Sequence, residues 1–189
     1  MKLYGTVTSP FVRRVRVVAA ELGLEVERVD TASESAQAQL AEISPIRKVP
    51  VAIVDGRLIY DSRAIIHWLV TTRGWGHIVP PRDAWHEENL LNAIDAAADS
   101  VIQLFYLRRD GVAIDGTPYA QRQLARADAI FKWLQPQLRA DVFGLPEIST
   151  VCALDWMDFR ESYKTERAGL DAVRSAWRER PSLVHTRPR

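Results

Sequence analysis

The sequence is poor in cysteine: Cys152 is the single one among 189 residues. One cysteine cannot form a disulfide within the chain, and it excludes a cysteine-rich metal site. The four histidines show no metal-ligand spacing such as H-x-x-x-H, so we expect packing or surface roles for them and no bound metal. Such sparing use of cysteine is typical of a reduced compartment, and we expect a cytoplasmic protein.

The chain also lacks an excess of charge of either sign. Its 25 Lys and Arg residues balance 24 Asp and Glu, which leaves a formal net charge of +1. Because nucleic-acid binders usually carry a clear basic excess, we expect no nucleic-acid partner. No apolar run approaches the roughly 20 residues that span a membrane, and the N-terminus shows no signal-peptide pattern. These absences favour a small molecule or another protein as partner.

The first part of the chain alternates between strand and helix patterns. We predict strands at residues 2–5, 25–30, 49–54 and 57–60, and helices at 11–22, 36–43 and 63–73, the last with Asp61 or Ser62 as its N-cap. The dipeptide Asp55-Gly56 is a strong two-residue hairpin signal. The order β-α-β-α-β-β-α indicates a thioredoxin-like domain, in which helices cover both faces of a small mixed sheet.

After a linker at 74–81, the remaining chain carries helical patterns only. We predict helices at 83–110, 118–139, 147–163 and about 165–180, followed by an irregular tail. The third of them is apolar on most sides, which is typical of a buried central helix. The expected fold is therefore α/β plus all-α: a thioredoxin-like N-terminal domain at 1–76, followed by an all-helical C-terminal domain at 83–189.

Ser9 lies where the first predicted strand gives way to the first helix. A helix N-terminus has free N–H groups and the positive end of the helix dipole, so it stabilises an anion such as a thiolate. A serine hydroxyl cannot carry out thiol exchange, but it can donate a hydrogen bond to a bound thiolate. The alternative is that Ser9 only caps the helix, with Pro10 in the first turn.

Two further segments follow in an order that suits a peptide-like ligand. A cis Pro50 would let the backbone of Val49 pair with such a ligand as an added strand does. Ser62 can hold a carboxylate and Asp61 an ammonium group, and together they fit the zwitterionic head of an amino acid. Each feature has an ordinary alternative, which is a trans proline that opens a strand or a plain N-cap.

Four segments together resemble the glutathione transferase family, in the group whose catalytic residue is serine: MKLYGTVTSPFVRRVRVVAAELGL, SPIRKVPVAIVDGRLIYDSRAI, VCALDWMDFR and RPSLVHTRP. The resemblance implies that Ser9 is the catalytic residue that hydrogen-bonds the glutathione sulfur, with Thr8 as a weaker candidate. It also implies a set of residues that bind glutathione as co-substrate: Lys48, Val49, Pro50, Asp61 and Ser62.

The sequence departs from the family pattern in two places. Arg47 stands where the family often has glycine, which adds charge and bulk at the rim of the expected site. The central helix usually begins with Ser or Thr in a capping box, whereas here Gly144 and Glu147 hold the corresponding positions. We therefore expect a weaker cap, with consequences for stability rather than for activity.

The resemblance implies a detoxification enzyme that conjugates the glutathione thiolate to a small hydrophobic electrophile. Phe11, Leu104, Phe105 and Tyr106 are candidates for the electrophile pocket, although each could equally belong to the core. The family resemblance also implies a homodimer, in which Arg63 and the third helix face the first two long helices of the partner subunit.

Two other readings remain open. A binding or regulatory protein could keep this fold without the chemistry, but the presence of Ser9, Pro50, Asp61 and Ser62 argues against it. A glutathione-dependent thiol reductase would need a cysteine at the Ser9 position, whereas Cys152 falls on the predicted central helix.

Overall fold

The structure is a computed structural model that describes residues 1–164 and 167–189. These residues form two compact units, one made of Met1–Pro80 with Arg178–Arg189 and the other of Pro81–Trp177. The division near residue 80 falls between the predicted domain ends. The C-terminal residues, however, belong to the first unit, whereas the sequence analysis placed them in the helical domain.

The first unit contains a four-stranded mixed sheet. Its strands are β1 Lys2–Tyr4, β2 Glu27–Val29, β3 Val51–Val54 and β4 Arg57–Tyr60, in the spatial order β2-β1-β3-β4. β1 is parallel to β2 and antiparallel to β3, which is antiparallel to β4. The helices are α1 Pro10–Glu21, α2 Glu34–Ile43 and α3 Ser62–Arg73. The predicted thioredoxin-like order of elements is confirmed.

Local chemistry explains the hairpin between β3 and β4. Asp55 and Gly56 have φ values of 48° and 74°. Both central residues of a type I′ turn need positive φ, and this turn matches the twist of the flanking strands. The register Val54↔Arg57 follows directly from the two-residue loop.

A short helix, α8 Pro181–Val184, ties the C-terminal segment to α1. The buried Arg13 guanidinium donates hydrogen bonds to the Leu183 carbonyl at 3.2 Å and to Thr186 Oγ1 at 3.3 Å. The Glu21 carboxylate accepts two hydrogen bonds from Arg180, each at 2.7 Å. The prediction of an irregular tail was therefore wrong for residues 181–184, because these distant partners do not show in the local pattern, and it holds for residues 185–189.

In the part of the second unit that the structure describes, all regular elements are helices. Its helices are α4 Ala84–Arg109, α5 Pro118–Leu134, α6 Leu145–Phe159 and α7 Ala168–Trp177. α6 is buried on nearly all sides, which confirms the predicted central helix. α5 ends before the predicted residue 139 because Pro136 cannot continue it. The predicted start of the last long helix, near residue 165, lies outside the described residues.

α4 is long and apolar enough to cross a membrane by length and composition, contrary to the sequence-based expectation. In the structure, its apolar side chains belong to the core of the helical unit, where Leu90, Ile94, Ala97 and Val101 pack with Phe131 and other buried residues. Core helices commonly have this composition, since they bury apolar residues on several sides.

Candidate functional site

Strand register brings three chain segments to one edge of the sheet. Tyr4 at the end of β1 pairs with Val51 at the start of β3, and Val51 pairs with Tyr60 at the end of β4. Three segments therefore meet at this edge of the sheet: the one that leads from β1 to α1, the one that enters β3 and the one that leaves β4. We call the residues that these segments carry there, Ser9, Val49, Pro50, Asp61 and Ser62, the α1–α3 corner.

Ser9 is the N-cap of α1. Its Oγ accepts a hydrogen bond from the Val12 N–H at 3.3 Å, and its carbonyl accepts one from the Arg13 N–H at 3.0 Å. The cap interpretation is thus confirmed. It leaves the hydroxyl hydrogen of the half-buried Ser9 available to a ligand, since a hydroxyl both donates and accepts. The nearby Thr8 Oγ1 lies 3.4 Å from Thr6 Oγ1.

The chain enters β3 through a cis Val49–Pro50 peptide bond, as the sequence analysis expected. Pro50 is buried and Val49 is half-buried, immediately before the first paired residue of β3. Arg47 and Lys48 are exposed beside them, and Arg47 has a φ of 49°. That conformation favours glycine, so the arginine occupies a backbone position where the family pattern has glycine.

Asp61 is the N-cap of α3 in an uncommon backbone conformation, with φ 60° and ψ 145°. Its Oδ1 accepts a hydrogen bond from the Arg63 N–H at 2.7 Å. Non-glycine residues seldom hold positive φ, and such residues cluster at functional sites. The exposed carboxylate keeps its second oxygen for other partners, which agrees with a role in holding an ammonium group.

Ser62 begins α3 and is almost fully buried, at 1% exposure. Its Oγ accepts two hydrogen bonds from the Arg14 guanidinium, at 3.0 Å from Nε and 2.7 Å from Nη2. Arg14 lies on α1 and is 3% exposed. The pair thereby joins the two helices that begin at the corner, and it places a positive charge directly behind the Ser62 hydroxyl.

Sequence reasoning missed Arg14, which it read as one of the polar residues between the apolar positions of α1. One signal could have revealed it. Arg14 follows Phe11 by three residues and precedes Val18 by four, so all three share a helix face. A charged residue on a buried face needs a specific partner, and in this structure Ser62 is one such partner.

The four residues predicted for an electrophile pocket differ in their surroundings. In the first unit, the Arg14 guanidinium lies over the Phe11 ring, with its Cζ atom 5.0 Å from the ring centre. In the second unit, Leu104 is buried in the core, which favours the structural interpretation for this residue. Phe105 packs edge-on against Trp156 with ring centres 5.3 Å apart, whereas Tyr106 is 47% exposed.

Among residues 1–164 and 167–189, no group of three or more His, Cys, Asp and Glu side chains could hold a metal ion. The α1–α3 corner instead offers hydroxyls, a carboxylate and backbone amides, with the buried Arg14 guanidinium next to Ser62. These groups suit a polar organic ligand with its own charges.

Comparisons with known proteins find similarity to glutathione transferases. Residues 3–75 match the family described as the N-terminal domain of glutathione S-transferase. The uncharacterized GST-like protein YibF of Escherichia coli K12 is 27% identical over 173 residues, which cover 85% of this chain and 83% of that protein. A probable maleylacetoacetate isomerase of Caenorhabditis elegans is 44% identical over 61 residues, which are 31% of this chain and 28% of that protein.

A solved structure resembles the whole chain. It is a glutathione transferase family member from Pseudomonas fluorescens Pf-5, crystallised with bound glutathione. The match has a TM-score of 0.85 and 26% identity, and it covers 100% of this chain and 98% of that one.

Proposed function

We propose that this chain, which belongs to the glutathione S-transferase family, binds glutathione at the α1–α3 corner and activates the thiol for attack on a small hydrophobic electrophile. The observation that carries the proposal is the match to a glutathione-bound relative over the full length of the chain. The corner adds chemical support, because its groups suit each end of this tripeptide.

The γ-glutamyl end of glutathione carries a carboxylate and an ammonium group. Ser62 is suited to the carboxylate, because its hydroxyl hydrogen and the Arg14 charge behind it both favour an anion. The Asp61 carboxylate is suited to the ammonium group. The exposed Lys48 is suited to the glycine carboxylate at the other end, and the backbone of Val49 can pair with the cysteinyl part.

Ser9 would act on the sulfur. A hydrogen bond from its hydroxyl favours the thiolate over the thiol and so lowers the thiol pKa. The N-terminus of α1 adds its dipole in the same direction. The thiolate is the nucleophile, so a larger thiolate fraction at neutral pH gives faster attack on the electrophile.

A second candidate is a glutathione-dependent isomerisation, favoured by the similarity of a 61-residue stretch to the probable isomerase. The same activated thiolate would attack the substrate and then leave again, so that glutathione is recovered. Conjugation, in contrast, consumes one glutathione for each product. Both candidates use the same residues at the corner, and they differ in whether glutathione is consumed.

Steady-state kinetics with a panel of electrophiles tests the proposal. We expect saturable dependence of the rate on glutathione concentration, with glutathione consumed in step with product for a conjugating substrate. A substrate that is converted while total free thiol stays constant supports isomerisation. If the chain binds glutathione but converts none of the substrates in a glutathione-dependent way, the result would favour the binding or regulatory alternative.

A further inference from the structure

The contact between Arg14 and Ser62 has an unusual form. Two N–H groups of one guanidinium, Nε and Nη2, converge on a single hydroxyl oxygen at 3.0 and 2.7 Å. An arginine guanidinium more commonly binds two carboxylate oxygens, one with each N–H group. Here the same two N–H groups of Arg14 bind one neutral oxygen. The side chains of Arg14 and Ser62 are both nearly fully buried.

This geometry fixes what the Ser62 hydroxyl can do. A hydroxyl oxygen has two lone pairs and one hydrogen. Arg14 occupies both lone pairs, so the hydrogen is the remaining hydrogen-bonding group of the side chain. Ser62 therefore acts as a donor toward any further partner, and the positive charge on its oxygen side polarises the O–H bond and strengthens it as a donor.

The guanidinium is itself held in place. Its carbon atom lies 5.0 Å from the centre of the Phe11 ring, within the range of a cation–π contact. The neighbouring Arg13 is equally buried, but its guanidinium points to different partners, Thr186 and the Leu183 carbonyl. α1 thus carries two adjacent buried arginines, of which Arg14 contacts the corner and Arg13 holds the C-terminal segment.

We propose that Arg14 is a positioning and specificity-determining residue: it orients the Ser62 hydroxyl as a donor and makes this end of the glutathione site selective for a carboxylate over a neutral amide. This inference rests on the proposed function, since it assigns the γ-glutamyl carboxylate to Ser62. It predicts that Arg14 affects the choice between ligands, beyond any effect on overall affinity.

The test compares two ligands by calorimetric titration. One is glutathione, and the other is glutathione whose γ-glutamyl α-carboxylate is replaced by a carboxamide. We expect the wild type to prefer the carboxylate, and Arg14→Met to reduce that preference by about tenfold or more, as for the loss of a charge-assisted interaction. Arg14→Lys keeps the charge without the fork and should retain part of the preference.

Arg13→Met is the matched control, because it removes a buried guanidinium from the same helix without touching Ser62. We expect it to leave the ratio of the two affinities unchanged. Equal weakening of both ligands by Arg14→Met, with an unchanged ratio, would mean that Arg14 only supports the fold and would overturn the inference.

Ser62→Ala gives an independent reading if Arg14→Met does not fold. It removes the hydroxyl that Arg14 orients, so the preference for the carboxylate should also fall in this variant. A wild-type ratio in Ser62→Ala contradicts the inference. If the wild type binds neither ligand, the proposed function fails as well. If the wild type binds glutathione but the ratio of the two affinities is the same in every variant, the proposed function is supported and the proposed role of Arg14 is overturned.

Discussion

At the scale of single residues, Ser9 combines a structural and a chemical task. Its oxygen caps α1 through the Val12 N–H, while its hydrogen is available to a ligand. Alanine removes both tasks at once. Glycine separates them, because it is nearly as good an N-cap, within a few tenths of a kcal/mol, and has no hydroxyl.

We therefore expect Ser9→Gly to fold with nearly unchanged stability and to lower turnover by about tenfold to hundredfold, with a smaller effect on glutathione binding. The apparent thiol pKa in the pH–rate profile should move upward, because the thiolate loses a donor. Thr8→Val serves as the control and should keep the wild-type profile. An unchanged profile in Ser9→Gly, with a shifted one in Thr8→Val, would transfer the role to Thr8.

The site could be predicted from the sequence only where a residue's role follows from its place in the chain. Ser9, Pro50 and Asp61 flank the ends of predicted elements, so their positions at the corner follow from the order of strands and helices. The role of Arg14 depends instead on how α1 packs against α3. Its contact with Ser62 spans 48 residues of sequence, and no local pattern specifies it.

At the scale of elements, the start of α6 illustrates how a weakened cap is compensated. Gly144 has no side chain to cap the helix, but its N–H donates to Glu147 Oε2 at 3.1 Å, and Arg139 N–H donates to Oε1 at 3.5 Å. Burial raises the pKa of Glu147 above its usual value, and it outweighs the backbone hydrogen bonds, which act to lower it.

A raised pKa in the folded state means that Glu147 contributes stability below its ordinary pKa of 4.5, and that this contribution is lost as the pH rises through the folded value. Glu147→Gln keeps an acceptor for Gly144 but has no charge to desolvate. We expect the free energy of unfolding of the variant, relative to wild type, to increase from pH 4 to pH 7. Urea titrations across this range measure it, and a constant difference would contradict the account.

The C-terminal segment depends on a second buried carboxylate. Burial opposes the ionisation of Glu21, but hydrogen bonds from Arg180 and Ser182 together outweigh it and hold its pKa below the usual value. Its stabilising contribution is thus present above pH 4.5 and is lost as the pH falls through the lowered value.

Glu21→Gln should destabilise the chain at neutral pH by roughly 2–4 kcal/mol, because the Arg180 side chain, which is 23% exposed, loses its bidentate partner and only part of its charge regains water. Urea unfolding at pH 7 measures the change. Glu27→Gln is the control: it removes an exposed ion pair with Lys2, and it should cost less than about 1 kcal/mol. If the two variants lower the free energy of unfolding equally, Glu21 contributes no more stability than an exposed ion pair.

Among the elements, those with strong local signals could be predicted and those that depend on distant contacts could not. The hairpin at Asp55-Gly56 follows from backbone preferences of two residues, and the β-α-β-α-β-β-α order follows from hydrophobic periodicity. α8 is a single turn that begins with Pro181, and it is held in place by Arg13 and Glu21 on α1. Its sequence alone does not distinguish it from an irregular tail.

At the scale of the whole molecule, we propose a two-fold symmetric homodimer. Several large apolar side chains are exposed, among them Trp85 at 82%, Leu58 at 43% and Tyr60 at 37%. Large exposed apolar side chains can take part in an interface between subunits, and a dimer with isologous contacts is the commonest assembly. The proposed contact sets α3 with Arg63 against α4 and α5 of the partner subunit.

Light scattering at micromolar protein should give about twice the chain mass of 21.4 kDa. Trp85→Glu places a charge on an exposed residue of α4, which belongs to the proposed contact, and should shift the population toward monomer. Val112→Glu, at another exposed apolar position, is the control for a non-specific effect of added charge. A clean monomer mass for the wild type across the micromolar range would rule out the dimer.

A calorimetric titration of glutathione into the wild type and into Ser62→Ala tests directly whether the α1–α3 corner binds glutathione. We expect saturable binding of one glutathione per chain, weakened by about 1–3 kcal/mol in Ser62→Ala because a buried charged hydrogen bond is lost. Ser100→Ala, which removes a buried serine from α4, should bind as the wild type does. No saturable binding to the wild type, or equal affinities for wild type and Ser62→Ala, would contradict a glutathione site at the α1–α3 corner.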